Sequence, residues 1–600
     1  MRQALGHLRF RWLATSLLLV ACAGCTEQVP KGALVLTQTP LAPTGTTAQD
    51  RLDLRYPPGS RVVLTWPPFH PTKARLLSKG LHAAGGPIIS PDARRVLFAG
   101  KAEASSAWQI YEARLGGGRP KPVTAIAGGA MHPALLPTGD LVFSSPVPKN
   151  AEGWTNAPPA ALYAQAPGGQ PRRLTFGSAG AFDPTVLADG RILFVSAQPK
   201  SFDADAPHFA LFTINNDGTE VTAFACQHEG DGLIQRPREL LNGRIGFLVS
   251  DAHALKAESR VESVRTARPQ ASRGPLLPFP VNGCRSVEPA GDGALLVCAE
   301  TRGLAGRSMR GSCAVFRVGP EAPALGEPLF DDPAWHDIEA TSLAPRPRPM
   351  GHLSTMQPSK STGVILCLDA QRGSYRAAAL DGSGTVSRIR VLAESQQGSV
   401  RALGEVPLQA DGSFMAEVPA DTPLGFEALD AHGKVLRRLP PLIWVRPGEN
   451  RTCVGCHEPH NRSPRNSRPL AVNFPPARLG DQMRTTELPA GLVGAEEKRN
   501  SQPDGGHRDH APTPARSADF QSAVSRVSNL HAVRQFEAAS EIRGAGRLEI
   551  GDTAGWKPAL QPRFVERPSV PAEEAKDSFR PPPEAGGTST ASLSDKESAP

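Results

Sequence analysis

The stretch Asp189-Gly190-Arg191-Ile192-Leu193-Phe194 joins a tight turn to a short apolar run, and versions of it recur along the chain. Glycine or asparagine at the turn permits a positive φ, and the run that follows is typical of a strand buried on both faces. The five copies are spaced by about fifty residues, which predicts an array or a propeller with these runs as inner strands. Their apolar ends are Phe98, Phe143, Phe194, Phe247 and Val297.

Further strand-like runs lie between these turns, at residues 109–113, 161–164 and 209–214. Each repeat therefore holds at least two strands, and residues 51–340 resemble the repeats of WD40-like and Tol-system periplasmic propellers. The resemblance implies a β-propeller of six or seven blades, a fold that hosts many functions. Residues 252–277 are charged and rich in Ser and Arg, which indicates a surface insertion in the array.

Composition supports a mainly β protein with many turns. The 600 residues include 60 Pro and 58 Gly, and only 6% are aromatic. The formal net charge of +8 is spread along the chain. A nucleic-acid-binding protein usually concentrates its charge on one face with aromatic residues between, so we expect no nucleic-acid partner.

Residues 341–360 are rich in proline and predict an extended connector, after which the pattern changes. Residues 361–446 predict a small antiparallel β-sandwich. Its strands include a run at Val364, two strands about the turn Asp411-Gly412, a hairpin about Asp430, and a closing strand that ends at Val445.

The segment 447–474 contains Cys453-Val454-Gly455-Cys456-His457. The spacing C-x-x-C-H is that of a c-type haem attachment site, in which two thiols bind the vinyl groups and the histidine ligates the iron. A zinc site would need a second ligand pair, and a thiol redox motif has no use for the histidine. We therefore expect one haem c, bound by Cys453 and Cys456, with His457 as an axial iron ligand.

The ligand on the opposite side of the iron is left open. His460 is too close to His457 in sequence to reach around the ring, and Met350, His352 and Met356 in the connector are interpreted as ordinary linker residues. A methionine or histidine ligand would favour electron transfer, whereas an open position would admit a small-molecule ligand.

The N-terminus predicts export. Basic residues precede an apolar run from Leu13 to Ala21, and small residues lead to Cys22 and Cys25, so residues 1–25 are interpreted as a lipoprotein signal peptide. One of these two cysteines is expected to carry the lipid that anchors the protein to a membrane. The protein would then lie in the periplasm or at the cell surface, with the outer membrane as the expected anchor. Residues 26–50 are interpreted as a polar linker.

Within the C-terminal residues 475–600, the stretches 500–520 and 565–600 are dominated by Pro, Ser, Glu, Arg and Gly. They offer too little apolar surface to offset the entropy of ordering, so we predict a disordered tail. A short helix near residues 520–536 is the one element that this tail suggests.

One family resemblance links these parts. The run Asp411-Gly412-Ser413-Phe414, the segment 446–458 and the segment 335–339 are similar to hydrazine-synthase alpha-subunit-like proteins, and the resemblance covers about residues 51–474. It implies an exported, propeller-bearing c-type cytochrome. Members commonly carry another C-x-x-C-H segment, which this chain lacks, so only Cys453, Cys456 and His457 are carried over and the catalytic residues are unknown.

Three functions are consistent with the sequence. The first is a lipid-anchored cytochrome that passes electrons to a redox partner protein, with the propeller as the docking platform. The second is a hydrazine-synthase-like oxidoreductase with an open haem site. The third is a Tol-type scaffold in which the haem motif is vestigial.

Overall fold

The computed structural model describes residues 30–41, 55–147, 160–177, 179–199, 207–226, 232–251, 259–281, 283–301, 312–372, 384–395, 399–455 and 467–479. All of these residues belong to one compact unit, Met1–Glu497. The predicted signal peptide with Cys22 and Cys25, the segment with Cys456, His457 and His460, and the tail beyond Leu479 lie outside the described residues. Within those residues, no helix is long and apolar enough to span a membrane.

The propeller begins with three strands whose blade is completed by the far end of the domain: β1 (Leu34–Pro40), β2 (Arg61–Thr65) and β3 (Arg75–Leu76). Five blades follow in chain order, each ordered from its innermost to its outermost strand. Blade 1 contains β4 (Ala83–Ile89), β5 (Val96–Lys101), β6 (Gln109–Ala113) and β7 (Lys121–Pro122). Blade 2 contains β8 (Met131–Leu135), β9 (Leu141–Pro146), β10 (Ala160–Gln165) and β11 (Arg172–Arg173).

Blade 3 contains β12 (Gly180–Val186), β13 (Ile192–Pro199), β14 (Pro207–Ile214) and β15 (Thr222–Ala225). Blade 4 contains β16 (Gly232–Glu239), β17 (Arg244–Asp251), β18 (Arg260–Arg265) and β19 (Gly274–Pro275), and blade 5 contains β20 (Ser286–Pro289), β21 (Leu295–Glu300) and β22 (Cys313–Val318). Two short 3-10 helices, Pro71–Lys73 and Pro269–Ala271, lie in the connections.

The last propeller strand, β23 (Trp335–Ser342), closes the ring. It pairs antiparallel with β1, with Ala340 opposite Leu36, and becomes the innermost strand of the blade that β1–β3 began. The innermost strands then neighbour one another in the cyclic order β4, β8, β12, β16, β20, β23 and back to β4. The described residues therefore form a propeller of six blades, and hydrogen bonds between its two ends hold it shut.

The repeated apolar runs are strands, as predicted, but they are the second strand of each blade rather than the innermost. Phe98, Phe143 and Phe247 on these strands are almost fully buried, and they pack between neighbouring sheets. The innermost strands of blades 1 to 4 lie earlier in each repeat and contain an internal proline. Proline lacks the backbone N–H that a β-ladder requires, so a run with an internal proline is expected to be a loop rather than a strand.

Two segments predicted as irregular are strands. Residues 252–277 include β18 and β19, the outer strands of blade 4, where the partly buried side chains of Arg273 and Glu262 form an ion pair of 2.6 Å. Residues 26–50 were predicted as a linker, but Leu34–Pro40 is β1, and its apolar residues are buried. The sequence does not reveal β1 because it shows no alternation of buried and exposed residues and its partner β23 lies about three hundred residues later.

The second domain is a sandwich of two four-stranded sheets. One sheet has the order β26-β25-β28-β29 and the other β30-β24-β27-β31, and buried side chains of both form one core. The strands are β24 (Thr362–Cys367), β25 (Arg388–Glu394), β26 (Val400–Pro407), β27 (Phe414–Pro419), β28 (Leu424–Leu429), β29 (Val435–Ile443), β30 (Asn450–Cys453) and β31 (Ala477–Arg478). A 3-10 helix, Leu470–Asn473, precedes β31.

The turn Asp411-Gly412 connects the two sheets instead of closing a hairpin, because β26 pairs with β25 and β27 pairs with β24. Gly412 has φ +84°, and a Cβ there would come within 2.4 Å of Asp369 Oδ1, so the crossing requires glycine. The hairpin of β28 and β29 is confirmed. The edge strands β30 and β31 run parallel to their neighbours, which the prediction of a purely antiparallel sandwich missed.

The proline-rich connector is extended and lies on the propeller. Along this strap, defined here as residues 345–357, backbone amides of Arg346, Met350 and Gln357 donate to the carbonyls of Pro91, Ala188 and Pro447. A Cβ on Gly190 would lie 2.2 Å from the Met350 carbonyl oxygen. This glycine therefore permits the close approach of strap and blade 3.

Candidate haem-attachment site

Strand β30 carries the first cysteine of the motif to the edge of the sandwich. It pairs in parallel with β24, so that Cys453 lies opposite Cys367. The Leu368 amide then donates to the Cys453 carbonyl at 2.9 Å, and the strand ends there. The backbone of Cys453 is therefore held by the sandwich, while Val454 and Gly455 lead away from it.

Cys453 differs from the other cysteines in its exposure. Among the six cysteines that the structure describes, it alone is partly exposed. The other five, Cys226, Cys284, Cys298, Cys313 and Cys367, are buried. Burial raises the pKa of Cys284 to about 12, which makes that thiol inert. The exposure of Cys453 fits a residue that must be reached by a large planar group.

A shallow surface depression with a cavity volume of about 20 Å³ adjoins the motif. Leu368, Val454 and Pro469 supply apolar surface, and Asp369 and Arg372 supply charge beside it. Asp411 and Ser467 complete its wall. The apolar side chains of this depression could contact one edge of a haem bound at Cys453, but the depression is too small to enclose the ring.

The end of the sandwich packs against blade 3 of the propeller. Trp444 is 4% exposed and lies with Phe176 at a ring-centroid distance of 6.4 Å. Its indole Nε1 donates to the Gly218 carbonyl at 3.3 Å. Because Trp444 belongs to the same apolar cluster as the sheets of blades 2 and 3, the sandwich and the propeller share a core there.

Polar contacts extend the interface between the sandwich and blade 3 to the turn that precedes β30 and the motif. Arg446 Nε donates to the Asp217 carbonyl at 3.2 Å, and its Nη1 forms an ion pair with Asp421 at 2.6 Å. The Glu449 carboxylate accepts the Glu220 amide at 2.9 Å, and burial raises the pKa of Glu449. The strand that leads to Cys453 is thus fixed on both the sandwich and the propeller.

The connector residues considered as distal ligands lie on the strap. Met350 is 70% exposed and its amide is bonded to Ala188, while the His352 carbonyl accepts the Asn216 side chain at 3.4 Å. Among the described residues that line the depression beside Val454, neither of these nor Met356 occurs. Their interpretation as linker residues stays a prediction.

Comparison with known proteins agrees with this geometry. Residues 359–458 match the family model of the hydrazine synthase alpha subunit middle domain. The resemblance to the hydrazine synthase alpha-subunit family is confirmed. The matched residues cover the sandwich strands β24 to β30 and the whole C-x-x-C-H motif, so the hydrazine-synthase-like domain contains the candidate site.

The hydrazine synthase structure from Kuenenia stuttgartiensis has a TM-score of 0.62 at 18% identity, covering 74% of this chain and 72% of that chain, which shows a shared fold. A putative TolB from Agrobacterium tumefaciens has a TM-score of 0.31 at 16% identity, covering 42% and 89% of the two chains. TolB from Acinetobacter baumannii has a TM-score of 0.33 at 14% identity, covering 48% and 64%. These two low scores add nothing to the assignment, and no curated protein matches the sequence.

A second cluster, which the sequence did not predict, fills the centre of the propeller. The innermost strands of blades 2, 3 and 4 carry a bulge at a residue that precedes proline: His132, Asp183 and Arg236. Their φ values are 52°, 46° and 53°, a region that non-glycine residues rarely adopt. The X-Pro dipeptide that recurs in the innermost strands of these three blades is the signal that identifies these positions.

The cluster is held together by buried ion pairs. Arg55 arrives on the connection between β1 and β2 and binds the Asp183 carboxylate with two nitrogens, at 2.8 and 3.1 Å. Arg236 forms an ion pair with Glu339 of the closing strand, and the Tyr56 hydroxyl donates to Glu339 at 2.7 Å. These contacts join blades 3 and 4 to the closing blade across the central channel.

His132 is the unusual member of this cluster. Its side chain is 6% exposed, its Nε2 lies 3.4 Å from Asp183 Oδ1, and neither ring nitrogen has a hydrogen-bond partner. Burial lowers the pKa of His132 to about 4, so it is neutral at neutral pH. Burial also acts to raise the pKa of Asp183, but the Arg55 guanidinium opposes this and holds that pKa well below its ordinary value. In the described residues, no group of three or more His, Cys, Asp or Glu side chains is placed to hold a metal ion.

Proposed function

We propose that this chain is an exported, lipid-anchored c-type cytochrome in which the propeller positions a single covalently attached haem for electron transfer. Cys453 and Cys456 form the two thioether bonds, and His457 ligates the iron from one side. The observation that carries the proposal is the position of Cys453, which is partly exposed at the end of a strand while the other described cysteines are buried.

The surrounding residues support electron transfer through rigidity. An electron-transfer site works best when its redox cofactor is held at a fixed position. That position depends on the packing of the residues around the cofactor. Here Trp444, Arg446 and Glu449 tie the strand before the motif to blade 3. When bound, the haem supplies the one-electron chemistry, and the role of the chain is to hold it, shield it and orient it toward a partner.

The decisive experiment is an absorption spectrum of the full chain made in a host with the haem-ligation machinery. We expect a Soret band that survives denaturation, because the haem is covalently bound. Cys453→Ala and Cys456→Ala should each abolish stable covalent attachment. Cys367→Ala is the matched control, since Cys367 lies opposite Cys453 but is buried, and its variant should keep the haem. A wild-type protein without a Soret band would overturn the proposal.

The match to the hydrazine synthase alpha subunit middle domain favours a second candidate, an oxidoreductase with an open haem position. Carbon monoxide added to the reduced protein separates the two functions. A six-coordinate haem that does not respond supports electron transfer alone, whereas a shifted Soret band supports the oxidoreductase.

The lipid anchor has its own test. Labelling cells with a radioactive fatty acid should mark the protein and place it in the outer-membrane fraction. Of Cys22→Ala and Cys25→Ala, one should lose the label and the other should keep it. If neither variant loses the label, the anchor is not at these residues.

A further inference from the structure

The segment that follows the haem motif returns to the sandwich and is fixed there. The Leu470 amide donates to Asp411 Oδ2 at 2.7 Å, and the Ala471 amide donates to Ser413 Oγ at 3.0 Å. Ala471 is 3% exposed. A few residues later, β31 pairs in parallel with β27, with Ala477 opposite Ala416. Residues 467–479 therefore have a defined position beside the motif.

This fixed segment exposes large apolar side chains. Phe474 is 55% exposed and Leu470 is 39% exposed, although Ala471 between them is buried. Pro469 of the same segment lines the depression that Val454 of the motif also lines. Full burial of a Phe or Leu side chain contributes about 1.5–3 kcal/mol, so an anchored segment that presents both to solvent is typical of an interaction site.

The same segment is basic. From Pro459 to Leu479 the sequence contains four arginines and no Asp or Glu. Two of them, Arg468 and Arg478, lie in the described residues and are exposed. Arg478 approaches Glu417 at 3.5 Å but remains 80% exposed, and an ion pair of that exposure contributes little. Both guanidinium groups are thus placed to meet carboxylates from another molecule.

We infer that this docking edge, defined as Arg468, Leu470, Phe474 and Arg478, binds an acidic electron-transfer protein beside the haem. The inference rests on the proposed function. Redox complexes are small and short-lived, and they combine charge steering with a limited apolar contact near the cofactor. The docking edge has both features, and Pro469, which lies between Arg468 and Leu470 in the sequence, lines the same depression as Val454 of the motif.

The experiment measures electron transfer from the reduced holoprotein to oxidised plastocyanin, an acidic blue-copper protein, by stopped-flow absorbance. One electron leaves the ferrous haem and reduces Cu(II) to Cu(I). We expect a bimolecular rate that falls as salt is added. The double variant Arg468→Glu and Arg478→Glu should lower the low-salt rate about tenfold or more. Phe474→Ser should lower it severalfold at all salt concentrations.

Matched controls place the same changes elsewhere on the surface. Arg401→Glu lies exposed on β26 in the opposite sheet, and Leu353→Ser replaces a side chain that is 96% exposed on the strap. Both should keep the wild-type rate, and the double variant should react faster than wild type with a basic cytochrome c.

Unchanged plastocyanin rates in the double variant and in Phe474→Ser, with the haem spectrum intact, would overturn this inference and leave the proposed function standing. A protein that never acquires haem would overturn the proposed function before any rate is measured. If removal of residues 480–600 raises the rate more than tenfold, the chain's own tail occupies the docking edge, and the inferred partner is wrong.

Discussion

The substitution His132→Asn tests whether the centre of the propeller governs stability in mild acid. His132 is buried in the channel and faces Asp183, Arg55, Arg236 and Arg238. Asparagine tolerates the positive φ of this position better than most residues and does not titrate. The variant therefore removes the ionisation while keeping the backbone conformation accessible.

The magnitude follows from two pKa values. Burial lowers the pKa of His132 to about 4 in the folded state, against an ordinary value of 6.5. The unfolded chain binds the proton first as the pH falls, so the stabilisation is complete above about pH 6.5 and is lost towards pH 4. A difference of about 2.5 in pKa at about 1.4 kcal/mol for each unit corresponds to about 3 kcal/mol.

The assay is urea unfolding of the full chain at several pH values between 7.5 and 4.5. The wild-type protein should lose more of its free energy of unfolding across this range than His132→Asn, and the difference should approach about 3 kcal/mol. The variant His432→Asn, in an exposed turn, serves as the control and should follow the wild-type curve. Parallel curves for wild type and His132→Asn would show that His132 is not held neutral by burial.

Three other substitutions test an ion pair in the propeller channel, an ion pair on the surface and the contact between the sandwich and the propeller. Asp183→Ala leaves the Arg55 guanidinium buried without its carboxylate and should cost about 3–5 kcal/mol of unfolding free energy, whereas Asp189→Ala, at a surface ion pair, should cost less than about 1 kcal/mol. Urea unfolding of both variants checks this, and equal losses would contradict it. Trp444→Ala removes the indole that packs on Phe176 and should cost about 3–5 kcal/mol. Calorimetry should then show the sandwich melting before the propeller, and a single unshifted transition would refute the shared core.

Local sequence signals identified part of the fold and missed part of it for a physical reason. The run 192–194 was recognisable because an Asp-Gly turn and a short apolar strand are local features. β1 was not recognised, because its burial depends on pairing with β23 about three hundred residues later. The prolines in the innermost strands hid the residues that line the channel, since proline is expected at edges and in loops.

The candidate site likewise combines local features, which the sequence predicts, with long-range contacts, which it does not. The spacing of Cys453, Cys456 and His457 is local, so the motif was recognisable from the sequence. The contacts of Trp444 and Arg446 with blade 3 join residues more than two hundred positions apart, and no pattern in the sequence reports them. The bulges at His132 and Asp183 could be predicted only in part. The X-Pro pairs are present in the sequence, but only the six-bladed ring shows that these residues face the central channel.

The position of β1 has a consequence for the distance between the protein and a membrane. Strand β1, which pairs with the closing strand β23, begins at Leu34, nine residues after Cys25 and twelve after Cys22. A fully extended chain spans at most about 3.6 Å for each residue, so the leash from a lipidated cysteine reaches about 30 to 45 Å. The edge of the closing blade would then always stay within that height of the bilayer. If one of these cysteines carries a lipid as proposed, a redox partner in the same membrane would meet this protein only within that thin layer.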